Sequence, residues 1–197
     1  WLMWYDLRNG RVVLKGTQDI LIEHAPAVLK EPLPAIEGTR LLLNRGTGLL
    51  WALRVLRGSE PEPDEDFVRR NYYKCGLALG DALLIAHQRY TTPYRGRDAL
   101  LKALAQAAPE VAAFGLQTVY EEALLFKFRP DRVDSRIPTE QDVQTMAKVW
   151  GSVLLHVEGI RTGSSWVSLR AYTQWNGIRE MDQHRPARLI HNIIRNV

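Results

Sequence analysis

Arg70-Asn71-Tyr72-Tyr73-Lys74-Cys75-Gly76-Leu77-Ala78-Leu79-Gly80-Asp81-Ala82-Leu83-Leu84-Ile85-Ala86 is the stretch on which the fold turns. It lies inside a helical segment that opens near Asp64 and Glu65, where acidic side chains suit a positive helix end, and that runs to about Tyr90. Lys74 and Asp81 interrupt its apolar run. Their spacing puts them on one helical face, two turns apart, with Leu77, Ala78, Leu84 and Ile85 on or near that face. A charge in such a setting must be paired or must line a cavity.

Outward from this segment the chain reads as helices separated by short breaks. On the N-terminal side, Glu37 to Arg57 is a strongly apolar helix carrying Leu41, Leu42, Leu49, Leu50, Leu53 and Leu56. Gly46 and Gly48 weaken its middle by roughly 1 kcal/mol each relative to alanine, so they mark close packing or a kink. Thr17 to Leu29 reads as a short capped helix, and Lys30 to Pro34 as a Pro-rich connector. On the C-terminal side, helices are expected at Arg97 to Ala107, Pro109 to Phe128 and Thr139 to Ile160, with a polar connector from Arg129 to Pro138. An apolar, aromatic stretch runs from Trp166 to Trp175, and Pro186 opens a terminal helix.

The first residues carry a different pattern. Trp1 to Leu7 is aromatic, Asn9-Gly10 is a two-residue turn signal, and Arg11 to Leu14 returns in strand-like residues. The expected class is therefore mainly α: an antiparallel bundle of about six or seven helices behind an N-terminal β-hairpin. Residues 1–16 read as the hairpin end of a truncated upstream catalytic domain, and residues 17–197 as the helical bundle domain. Trp1 in place of Met, and the abrupt stop of the helix from Arg188 to Val197, read as cut points.

Composition narrows the function classes. With 197 residues and 46% hydrophobic content the chain can bury a core without staples. The single cysteine, Cys75, leaves no internal disulfide and reads as a small core residue, which fits a reducing, cytoplasmic setting. The apolar runs Leu41 to Val55 and Gly76 to Ala86 are broken by Asn44, Arg45, Arg54 and Asp81, so neither reaches the roughly 20 residues a bilayer span needs, and no membrane role is expected. The net charge of +4 is spread along the chain, which disfavours nucleic acid as a partner. The histidines His24, His87, His156, His184 and His191 have no metal-ligand spacing, and no nucleophile elbow or phosphate loop is present. No catalytic residue and no metal ligand is expected within the chain.

The polar residues inside apolar helices are the site candidates: Asn44, Arg45, Lys74, Asp81 and Tyr90. Three readings stay open. Asp81 pairs with Arg45 across two antiparallel helices while Lys74 snorkels to the surface; or Arg45, Lys74 and Asp81 line a pocket, with Asn44 and Tyr90 nearby, for a small-molecule or nucleotide substrate; or all of them face solvent.

The stretch from Arg70 to Ala86, together with Tyr90 and Tyr94-Arg95-Gly96-Arg97, resembles the helical region after the catalytic domain in bacterial nucleotidyltransferase-like proteins of the DNA polymerase β superfamily. Tyr5-Asp6-Leu7, Gly10, Val12-Val13-Leu14 and Gly16 resemble the closing strand and turn of such a catalytic domain, and Gly38 to Arg45 resembles the first bundle helix. The similarity runs from Tyr5 to Arg97. It implies an upstream mixed sheet with a Gly-Ser motif and acidic metal ligands that would hold Mg²⁺ and a nucleotide in the parent protein; none of those residues is in this sequence, and Asp6 falls just past the strand that bears the family's last ligand. It implies that this bundle packs on the catalytic domain as an accessory, substrate-binding part and shapes the acceptor cleft with Arg45, Lys74, Asp81 and Tyr90. Fold-level analogy alone does not establish chemistry.

Two other classes compete. A non-catalytic interaction or dimerisation bundle would use Trp1, Trp4, Trp166 and Trp175 as a partner or homodimer surface. A HEPN-type ribonuclease is suggested by the Arg185 to His191 spacing, which resembles that family's Arg-x4–6-His signature, although Pro186 stands where a polar residue is usual.

Overall fold

The computed structural model describes residues 2–16, 33–61, 64 and 66–175. Among them the fold is helical: α1 (Leu2–Gly10), α2 (Ala35–Leu56), α3 (Phe67–Ala86), α4 (Arg97–Ala107), α5 (Pro109–Ala112), α6 (Gln117–Phe128), α7 (Glu140–Thr162) and α8 (Leu169–Thr173). The helices expected at Thr17 to Leu29 and after Pro186 lie outside the described residues, as do Arg185 and His191. No described helix is long and apolar enough to cross a membrane.

The helix α3 is the axis of the molecule. Every residue from Ala78 to Ala86 is buried, because α2, α4, α6 and α7 all pack against it. A helix surrounded in this way must be apolar all round, and Leu79, Leu83 and Leu84 are fully buried, each contributing about 1.5–3 kcal/mol of hydrophobic burial. Glycines set the helix spacing. A Cβ on Gly38 would press the Ala82 carbonyl at 3.1 Å, and one on Gly48 would meet the Asn71 side chain, so α2 and α3 run antiparallel in close contact. A Cβ on Gly46 would lie 2.7 Å from the Trp150 ring. That indole rests on Gly46 while its Nε1 donates to the Leu42 carbonyl at 2.8 Å. Close packing, not a kink, accounts for these two α2 glycines.

Helix ends follow local chemistry. In α7, Thr139 and Asp142 form a reciprocal capping box. At Gly115 the backbone turns into the left-handed region, φ +62°, and splits the expected Pro109 to Phe128 helix into α5 and α6. Both α2 and α3 end in a Schellman motif. For α2 it is Gly58 N–H to Val55 O and Ser59 N–H to Arg54 O; for α3 it is Gln88 N–H to Ile85 O and Arg89 N–H to Leu84 O. The residue that must turn left-handed is Gly58 in the first case and Gln88, at φ +58°, in the second. Gln88→Gly should therefore raise stability by about 1 kcal/mol, read as a higher urea midpoint at unchanged slope. A lower midpoint would show that the glutamine side chain holds contacts worth more than its strain.

The expected N-terminal hairpin is corrected. Leu2–Gly10 is helical, and the Asn9 amide donates to the Tyr5 carbonyl at 3.0 Å one turn back. A lone hairpin needs a further strand, and the described residues contain none. As a helix the segment presents Leu2, Tyr5, Asp6 and Gly10 on one side. That side docks on the bundle: the Leu2 N–H donates to Glu37 at 3.0 Å, Tyr5 tilts against Tyr90 with ring centres 6.1 Å apart, and Gly10 sits where a Cβ would press Thr92 at 3.0 Å.

Candidate functional site

A groove of about 800 Å³ opens between α1, the first half of α2, the middle of α3 and the α3–α4 loop. Four of the residues singled out from sequence line it: Asn44, Arg45, Asp81 and Tyr90. Lys74 does not, and lies exposed on α3. The proposed Arg45–Asp81 pair is also absent. Gly38 faces Ala82 and Gly48 faces Asn71, so Arg45 falls level with Lys74 and Cys75, ~10 Å along the helix from Asp81.

The partner of Asp81 is Arg97, the first residue of α4. Its Nη1 lies 2.9 Å from Asp81 Oδ2, and the two side chains are 0% and 8% exposed. The other carboxylate oxygen accepts from the Tyr120 hydroxyl at 2.6 Å. Tyr120 reaches it because its ring packs against Gly80, where any Cβ would collide with it. Arg97 then ties the loop together. Its Nε donates to the Thr91 carbonyl at 2.8 Å and its Nη2 to the Thr92 carbonyl at 2.7 Å and the Tyr90 oxygen at 2.9 Å. The guanidinium lies 4.2 Å from the Tyr90 ring centre and 3.9 Å from that of Tyr94, in cation–π range of both. In turn the Tyr90 hydroxyl donates to Asp6 on α1, at 3.1 and 3.2 Å from its two oxygens. One chain of polar contacts thus runs from Tyr120 through Asp81, Arg97 and Tyr90 to Asp6 at the groove wall.

Electrostatics follow burial. Desolvation pushes the Asp81 carboxyl above the usual aspartate range, with Arg97 and Tyr120 opposing it. Burial likewise raises Asp6, against the Tyr90 hydrogen bond and the Arg97 charge. The Tyr90 and Tyr120 phenols are driven far up by burial and by the Asp81 charge, so both stay protonated donors. Across the groove, Arg40 is held by Glu37 at 2.6 Å. Arg45 has no ion-pair partner among the described residues. Arg45 and the Asn44 amide therefore stand on the α2 side of the groove and the hydrogen-bonded Asp6 carboxyl on the α1 side, with Arg11, Glu37 and Arg40 also in its lining.

Neither aspartate is arranged for a metal ion. The oxygens of Asp81 are taken by Arg97 and Tyr120, and those of Asp6 by Tyr90. Among the described residues no three His, Cys, Asp or Glu side chains cluster in a way that could hold one. Cys75, buried beneath Arg45, has its thiol pushed up to about 12 by desolvation and stays an inert thiol. Of the aromatics expected on the surface, Trp1 lies outside the described residues. Trp4 is half-buried, and Trp166 packs edge-on against Tyr172 and Trp175, at 5.2 and 5.1 Å.

Sequence reasoning missed Arg97, Tyr120, Tyr94 and Asp6 as parts of this network. For Arg97 the signal was Gly96, whose φ of +85° lets the loop turn sharply enough to aim the next residue back at α3. Tyr120 could have been suspected only from Gly80 beside a buried acid. No protein-family model, curated protein or solved structure matches this chain.

Proposed function

We propose that this chain is the substrate-binding helical domain of a nucleotidyltransferase-like protein, an antiparallel bundle whose groove shapes the acceptor site beside a catalytic domain, in the cytoplasm. The observation that supports the reading is the gathering of Asn44, Arg45 and Tyr90 around one groove, with Asp81 rigidly anchored at its wall. Arg45 suits an anionic group such as a phosphate, and Asp6 suits a hydroxyl or amine of the same molecule. The chain itself supplies binding and orientation; Mg²⁺ and the transferred nucleotide would be held by catalytic-domain residues that this sequence does not contain.

The test is a titration with an acceptor-like probe that carries a phosphate and an amine, O-phosphoethanolamine, followed by backbone amide shifts and calorimetry. Shifts are expected in α1, the first half of α2 and the loop from Tyr90 to Tyr94. Arg45→Ala should weaken binding about tenfold or more, the loss of one charge-assisted hydrogen bond. Lys74→Ala should leave affinity unchanged. Shifts that map elsewhere, or an Arg45→Ala variant that binds as well as the parent, would remove the reading.

The second reading, an interaction bundle, draws on a stripe along α2: Leu43, Leu50 and Trp51 are 50%, 61% and 48% exposed. Light scattering that shows a monomer at all accessible concentrations would count against it.

A further inference from the structure

Two histidines outside the groove meet between α3 and α7. His87 Nε2 lies 3.0 Å from His156 Nε2. The rings are 19° from parallel and their centres are 5.3 Å apart. That separation equals the nitrogen–nitrogen distance plus two ring radii, so the rings meet tip to tip and the N–H···N bond between them is straight. The lone pairs aim at each other and not at a shared third point, so this is a proton site and not a chelate.

Its proton count decides whether it holds. With both rings neutral, one Nε2–H donates to the other Nε2 lone pair. One added proton leaves a donor and an acceptor still facing, and the bond becomes charge-assisted. A second proton puts N–H on both facing nitrogens. The bond is then lost and two like charges stand in contact.

The position of the pair gives it leverage on the groove. His87 caps α3; Gln88 turns left-handed; Tyr90 and Tyr94 then line the groove. Arg97 fixes the far end of that loop through Thr91 and Thr92, and the histidine pair fixes the near end. We propose that His87 and His156 form a proton-operated clasp on the loop that carries Tyr90 and Tyr94, closed with no or one added proton and opened by the second. Its bearing on ligand binding rests on the proposed role of the groove.

The surroundings agree with this sign. Burial lowers both histidines, and His156 lowers His87 further. From α5, Glu110 favours a proton on both rings, while Arg89, two residues past His87, disfavours one there. Phe114 packs edge-on against His156 at 5.5 Å and brings no charge. The folded chain therefore binds these protons more weakly than the unfolded chain. The clasp's contribution is complete above the ordinary histidine value of 6.5 and is lost once pH falls far enough below it for the second proton to bind.

The test is a nitrogen-detected titration of the imidazoles in the 197-residue chain, from about pH 8 to about pH 5, with amide-exchange protection of residues 88–92 measured alongside. His87 and His156 should titrate as a coupled pair with midpoints below 6.5, and loop protection should fall about tenfold over the same range. In His156→Phe, which keeps a ring against Phe114, His87 should titrate in one step and loop protection should lose its pH dependence. Two independent, ordinary titrations in the parent would overturn the proposal, and so would a variant whose loop loosens just as the parent's does. If His156→Phe does not fold, the parent titration decides alone. Affinity for O-phosphoethanolamine is read separately: its absence beside a coupled titration sinks the groove reading only, and its presence beside ordinary titrations sinks the clasp only.

Discussion

Arg97→Met should destabilise the chain by about 3–5 kcal/mol, the cost of leaving a buried charge without its partner. Arg97 is fully buried and donates to Asp81, Tyr90, Thr91 and Thr92. Methionine keeps much of the volume between the Tyr90 and Tyr94 rings but supplies no donor. Asp81 then keeps only the Tyr120 hydroxyl, and the two loop carbonyls lose their partner. Asp81→Leu should cost a similar amount, because it strands the guanidinium instead. The double variant Asp81→Leu/Arg97→Met should cost clearly less than the sum, since the second substitution removes the charge that the first had orphaned. Urea denaturation of the three variants measures this directly. Additive losses, or an Asp81→Leu midpoint within error of the parent, would mean that the pair is not the buried unit described.

The failure of the Arg45–Asp81 pairing shows which information a sequence withholds. That Asp81 needs a partner followed from its place in an apolar helix. The choice of Arg45 assumed that the two helices slide to bring the charges level, and the register is fixed instead by glycines, with Gly38 against Ala82 and Gly48 against Asn71. A glycine in a helix marks close packing, but it does not say which residue it packs against. The helices themselves were legible because Leu, Ala and Val recur at helical spacing over long stretches, and α4 runs over the residues expected. The first ten residues misled because Asn9-Gly10 is a strong local turn signal, whereas the segment's structure is settled by long-range contacts of Tyr5 and Asp6 with Tyr90, which no local pattern encodes. Lys74 misled for a related reason: periodicity puts it on the face of Asp81, but the packing helices bury that face only from Ala78 onward.

Glu158→Ala should rank beside Arg97→Met, at about 3–5 kcal/mol, and for the same reason at the other side of the fold. Glu158 and Arg161 stand one turn apart on α7, and their side chains are 0% and 9% exposed. The carboxylate accepts from Arg161 Nε and Nη2 at 2.7 and 2.6 Å, from Thr39 on α2 at 2.5 Å, and from Tyr172 on α8 at 2.8 Å. One carboxylate therefore joins three helices, and its removal takes away the acceptor that Arg161, Thr39 and Tyr172 share. The pH dependence gives a second, independent reading. Burial alone would raise the Glu158 carboxyl, but the donors from Arg161, Thr39 and Tyr172 outweigh it and hold the group below its ordinary value of 4.5. A carboxyl depressed in the folded state contributes stability that is complete above its unfolded value and is lost as pH falls through its folded value. The gap in unfolding free energy between parent and Glu158→Ala should accordingly be widest near neutrality and should narrow below about pH 4.5, and Glu158→Gln, which also lacks the titrating carboxyl, should show a smaller gap that narrows over the same range. A gap that stays constant down to acid pH would mean that the carboxylate's charge contributes nothing to holding α2, α7 and α8 together.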